Sequence, residues 1–136
     1  MLIRAYIWSV AIERGETLKP LVWIRSSKND LKKFPRIAQS HLGFALKVAQ
    51  SGGKHIDAKP MKGFSGASVI EIVEDYDGDT YRAVYTVKFA DAIYVLHAFQ
   101  KKSKSGIATP KRDLDLIEER LRRAKELHAL GVHYRR

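Results

Sequence analysis

The chain contains no cysteine, which excludes a disulfide framework and any cysteine-based zinc site. Its five histidines show no H-E-x-x-H or comparable ligand spacing, so neither a metal nor a small-molecule cofactor is expected. No apolar run approaches the roughly 20 residues needed to span a bilayer. The opening "MLIRAYIWSVAIERG" is interrupted by Trp8 and Ser9 and soon reaches Glu13. It is a poor signal peptide for the same reasons. The expectation is a cytoplasmic protein with no membrane partner. Acidic residues are also scarce: 15 Asp and Glu stand against 25 Lys and Arg, for a formal net charge of +10. That excess favours a polyanionic partner such as nucleic acid or the ribosome.

What is present is a globular composition. The 136 residues are 45% hydrophobic and 29% charged, enough for one domain with one core. "LVWIR" (21–25) has the β-branched and aromatic content of a short strand. Ser26 and Ser27 offer N-caps for a short helix, "KNDLKKF". After Pro35, Ile37, His41, Phe44, Ala45 and Val48 recur at helical spacing up to "SGG" at 51–53. Gly43 inside that helix costs roughly 1 kcal/mol against alanine, which predicts close packing at that point.

A Lys-, Gly- and Pro-rich loop, "KHIDAKPMKGFSG", precedes three predicted strands: 67–74, 80–88 and 92–99. Asp77-Gly78 between the first two is a hairpin signal. The short links predict antiparallel neighbours. The third strand, "AIYVLHAF", is apolar at nearly every position, as a central strand covered on both faces should be. A closing helix starts at Thr109-Pro110, with Leu114, Ile117, Leu121, Ala124 and Leu127 as its inward stripe. Its acids (Asp113, Asp115, Glu118, Glu119) lie early and its bases (Arg120, Arg122, Arg123, Lys125) late. That arrangement complements the helix dipole and suggests a solvated face with Glu118–Arg122 and Glu119–Arg123 pairs.

Several stretches carry a family likeness: "WIRSSKNDLKKFP", "GGKHIDAKPMKGF", "EIVEDYDGDTYRAVYTVKFADAIYVLHAFQKKSKSGIATP" and "DLIEERL". They resemble the phage-derived, HigB-like branch of the RelE/ParE superfamily of bacterial toxins, from about Lys19 to Leu127. The resemblance implies an α+β fold, with an N-terminal helical hairpin packed on a small antiparallel β-meander and a C-terminal helix. Residues 1–18 would be an extension, 19–130 the toxin domain and 131–136 a basic tail. It also implies the toxin of a type II toxin–antitoxin pair, with ribosome and mRNA as targets. The cognate antitoxin would often carry an XRE-type helix-turn-helix domain. Most characterised relatives cut mRNA in the ribosomal A site, whereas ParE-type relatives poison DNA gyrase. A non-catalytic binding module is a third alternative.

RNA cleavage without a metal needs help in deprotonating the 2′-OH, positive charge around the phosphate and a proton for the 5′-oxygen. The resemblance maps these tasks onto Lys62 in the loop, Arg82 in the middle strand, and His97 and Lys101 at the end of the last. Lys54, Lys59, Lys102 and Lys104 are the expected contacts to the RNA backbone. Val73 stands where many relatives carry an arginine two residues after Glu71. The residues themselves leave alternatives open. His97, placed by strand parity beside Val95 and Phe99, fits a core histidine as well as a proton-transfer group. Arg82 fits a salt bridge to Glu71 as well as a phosphate stabiliser. Tyr81 and Tyr85, on the other face, fit core packing better than base stacking.

Overall fold

The computed structural model describes residues 18–64, 68–101 and 109–131. The expected extension before Leu18, the tail beyond Gly131, and Lys102 and Lys104 lie outside that set. Asp77 and Gly78 fix the centre of the sheet. They are the two-residue loop between β3 (Val69–Tyr76) and β4 (Asp79–Thr86), with φ of 52° and 86°. Positive φ at both positions is a type I′ turn, whose twist matches the strands it joins. β5 (Ile93–Lys101) then pairs antiparallel with β4.

Two short strands complete the sheet. β1 (Leu21–Trp23) runs parallel to β5, and β2 (Ala58–Pro60) runs antiparallel to β3. The order is β1-β5-β4-β3-β2. The sheet is therefore mixed rather than a purely antiparallel meander. Most of the chain separates β1 from β5, so no tight turn announces their pairing. β2 lies in the stretch read as a loop: three residues including Lys59 and Pro60 give little strand signal, and the sheet edge tolerates the proline. β5 is an interior strand between β1 and β4, with Ile93 to Val95 fully buried.

Each face of the sheet has its own core. On one, Ala38, Leu42, Ala45 and Leu46 pack against Ile72, Ala83, Tyr85, Ile93 and Val95. On the other, Ile117, Leu121 and Ala124 pack against Val84, Tyr94, Leu96 and Phe99. A β-bulge assigns β5 residues to these faces. Val84 pairs with His97 but Tyr85 pairs with Val95, so Leu96 is an extra residue. After the bulge the parity is reversed. Val95 faces the first core, while Leu96, His97 and Phe99 face the second.

Among the described residues there are three helices: α1 (Ser27–Lys32), α2 (Arg36–Gln50) and α3 (Lys111–Ala129). α1 docks on β5, whereas α2 docks on β3 and β4. The expected helical hairpin is thus two separate attachments to the sheet, because a six-residue helix with one buried leucine, Leu31, has little face to offer α2. Ser26 makes no side-chain cap; its hydroxyl donates to Asp30 Oδ2 at 2.7 Å. Gly43 is not closely packed, since a Cβ built there meets nothing within 4 Å. α3 buries the expected stripe, with Leu114 and Leu127 at its margins. No helix among the described residues is long and apolar enough to cross a membrane.

Candidate functional site

The α3-facing side of the sheet gathers charge in its interior. Asp113 and Arg120, expected on a solvated helix face, are 6% and 7% exposed and point inward beside Ile117 and Ala124. What draws them in is His97. Its Nε2 lies 2.8 Å from Asp113 Oδ1, and Arg120 NH1 approaches its Nδ1 at 3.2 Å. A guanidinium can only donate, so Nδ1 accepts and Nε2–H donates to the carboxylate. Arg120 also donates to the Leu96 carbonyl at 3.1 Å and to Ser26 Oγ at 3.2 Å. The bulge at Leu96 therefore presents both a carbonyl and a histidine to one arginine. Phe99 stacks on the imidazole at 4.9 Å.

Burial pushes the His97 pKa below its ordinary value, and Arg120 acts in the same direction against the raising effect of Asp113. His97 is a neutral imidazole at neutral pH with both nitrogens engaged. In this arrangement it orients its neighbours; a proton-transfer role first requires Asp113 or Arg120 to move away.

Beside this network lies a second polar group. Glu71 on β3 accepts a 2.6 Å bond from Arg82 NH1 on β4, and both side chains are largely buried. Val73 faces Arg82 directly across the hairpin, so Glu71 takes its arginine from the neighbouring strand rather than from two residues along its own. Arg82 Nε is buried without a hydrogen-bond partner among the described residues. Lys101 lies on the same face, paired with Thr80 and 7% exposed. Burial pushes its ammonium below the ordinary lysine value, and Arg82 pushes the same way while Glu71 and Asp113 oppose. A desolvated lysine beside a charged guanidinium suits both anion binding and proton transfer.

Of the expected residues, Arg82, His97 and Lys101 come together on this face. Lys59 joins them at its rim, exposed and directly opposite Glu71. Lys62 is exposed in the turn after β2. Lys54 lies apart: with Lys19, Ile70, Tyr85 and Val87 it lines a cavity of about 280 Å³ on the α2 side. Tyr81 and Tyr85 are buried in the α2-side core, and burial pushes the Tyr85 phenol up to about 12. Asp113 and Arg120 were not singled out from the sequence as site residues. Their spacing of seven, in phase with Ile117 and Ala124, is the signal that could have found them.

A family model described as Phage derived protein Gp49-like (DUF891) matches residues 29–122. The chain belongs to this Gp49-like, phage-derived family, and the matched segment runs from α1 into α3, spanning every residue of the two polar groups except Ser26. No curated protein and no solved structure matches it.

Proposed function

We propose that the protein is the toxin of a type II toxin–antitoxin pair, and that it acts as a ribosome-dependent mRNA endonuclease of the RelE/HigB kind. The observation that carries this is the placing of Arg82 and Lys101 on adjacent strands of one face, with Lys101 buried and Arg82 bonded to Glu71. Membership of a phage-derived family and the +10 charge support it. The 2′-OH attacks the adjacent phosphorus, the P–O5′ bond breaks, and the 5′-oxygen takes a proton. Arg82 stabilises charge on the phosphate oxygens as they crowd together. Lys101, with its lowered pKa, takes the 2′-OH proton as the neutral amine and, as the ammonium so formed, gives it to the departing 5′-oxygen. Lys59, Lys62 and, in the sequence beyond β5, Lys102 and Lys104 hold the RNA backbone, with Lys54 as a more distant contact. His97 keeps the end of β5 in place. The partner that restrains this activity is a cognate antitoxin, whose acidic or amphipathic segment would cover the basic face.

The test is induction in bacteria, with translation, mRNA integrity and DNA topology followed separately. Rapid arrest with mRNA cut between codon positions is expected. In single-turnover assays Lys101→Met should lower cleavage by about 10² to 10⁴ with the fold retained. Arg82→Lys should also fall, because an ammonium does not replace a forked guanidinium. Gyrase–DNA breaks with intact mRNA would refute the nuclease assignment.

A further inference from the structure

The α2 side of the sheet carries a second titratable cluster, on the opposite face from Arg82 and Lys101. His41 sits mid-way along α2, His55 and Asp57 lie in the loop before β2, and Glu74 is on β3. His41 Nδ1 is 2.8 Å from Glu74 Oε1. That carboxylate accepts a hydrogen bond from Nδ1–H and leaves Nε2 to face a ligand. Nε2 is buried and lies 3.1 Å from Asp57 Oδ2, yet in a geometry that makes no hydrogen bond. Two electron-rich atoms thus face each other closely. The third member, His55, is 4% exposed, with its ring 5.0 Å from that of His41 and Nδ1 3.8 Å from Asp57 Oδ2.

One donor atom from each of His41, His55 and Asp57 falls within 4.8 Å of the others. A tetrahedral site with bonds near 2.0–2.1 Å has edges of about 3.3 Å. The His41–Asp57 edge is already of that size, and the His55–Asp57 edge needs to close by only a few tenths of an ångström. Loading gives up the 3.0 Å bond from the Asp57 amide to His55 Nδ1, and both of these residues lie in the short loop before β2. The Asp57 side chain is 42% exposed, which gives an ion an entry path and leaves room for a water as fourth ligand.

We propose that His41, His55 and Asp57 bind one divalent transition-metal ion of the zinc class, with Glu74 orienting His41. Two imidazoles and a carboxylate suit zinc or cobalt and do not suit calcium or magnesium, which prefer oxygen. The ion joins α2 to the β2 loop and, through Glu74, to β3, so it acts as a clamp on the fold. The three ligands come from two segments that only the tertiary structure brings together, which is why no ligand spacing marks them. This assignment is independent of the nuclease proposal, since no residue is shared.

The experiment uses the full, untagged chain, stripped of metal with a chelator and titrated with zinc chloride near neutral pH. One equivalent should bind, the melting temperature should rise, and cobalt(II) should give the intense visible absorption of a four-coordinate ion. Asp57→Asn, at an exposed position that should not disturb folding, should weaken zinc at least tenfold, by roughly the loss of one ligand. Glu74→Gln should keep the one-to-one stoichiometry while weakening affinity about 10- to 100-fold. Absence of saturable uptake by the wild type would overturn the site, as would uptake that Asp57→Asn leaves unchanged.

Discussion

The two faces of the sheet solve the burial of polar groups differently. On the α3 side, Asp113, His97, Arg120 and Ser26 form a chain of hydrogen bonds that runs on to Asp30, and both nitrogens of the histidine are engaged. On the α2 side, the core is apolar from Leu42 to Tyr85, and the polar residues His41, His55 and Asp57 are held at its edge. The first histidine is locked by a donor on one side and an acceptor on the other. His41 has carboxylates against both nitrogens. A donor and an acceptor satisfy both nitrogens of the first ring, although Arg120 Nε stays buried without a hydrogen-bond partner among the described residues; carboxylates on both sides of the second leave a demand for a cation. The same residue type is therefore structural on one face and a candidate ligand on the other.

The largest expected effect tests the α3-side network. Arg120→Ala strands His97 Nδ1 and the Leu96 carbonyl in the interior at once, and removes a cation from beside Asp30. Breaking a buried charged group out of its set costs about 3–5 kcal/mol. Urea unfolding should show a large drop in midpoint with little change in slope. A loss under 1 kcal/mol would mean that the network is dispensable and that apolar packing on α3 suffices.

This contrast also separates what the sequence announces from what it hides. The β3–β4 hairpin was legible because Asp-Gly specifies its own turn. The inward stripe of α3 was legible because leucine and alanine at helical spacing have one place to go. Asp113 and Arg120 were misread as solvated because charge ordinarily faces water, and only the bulge at Leu96 creates the partner that draws them in. That bulge also moved His97 off the face of Val95, a one-residue shift that no alternation pattern encodes. Arg123 likewise pairs with Glu126 at 3.3 Å, where the sequence suggested Glu119. Short β1 and β2 carry too few residues to show a period, and their pairings are set by elements elsewhere in the chain.

A smaller effect sharpens the assignment of His97 as neutral. Its folded pKa lies below the ordinary value of 6.5, chiefly through burial, with Arg120 adding to the effect and Asp113 and Asp30 opposing it. As pH falls below about 6.5 the unfolded chain takes up the proton before the folded one does. Stability present in full above that point is therefore lost on acidification. The slope is at most about 1.4 kcal/mol per pH unit, until the folded value is passed. His97→Gln retains hydrogen bonding but cannot titrate, so its stability should fall less between pH about 7 and 5. The difference between the two curves isolates His97 from His41, His55 and His128. Parallel curves would show that folding leaves the His97 pKa unchanged, and a wild-type curve that falls less than the variant's would show that folding raises it.

The smallest effect lies on the α2 side and has the opposite sign. Gly43 occupies the interior of α2, where glycine is about 1 kcal/mol less favourable than alanine. The sequence suggests that close packing demands it, but the space around an added Cβ is open to 4 Å and the residue has no positive φ. It borders a groove between α1, α2 and β1 that is lined by Leu21, Trp23, Leu31 and Leu46. A methyl group there meets no clash, favours the helix and restricts the unfolded chain. Gly43→Ala should therefore raise stability by about 0.5–1 kcal/mol, read as a higher urea midpoint, and the RNA cleavage proposed for the Arg82 face, on the other side of the sheet, should not change. A loss of stability would mean that the groove beside Gly43 is tighter than its geometry indicates. A gain in stability accompanied by a loss of activity would point to the groove itself as a functional surface, and the division of labour between the two faces would then have to be redrawn.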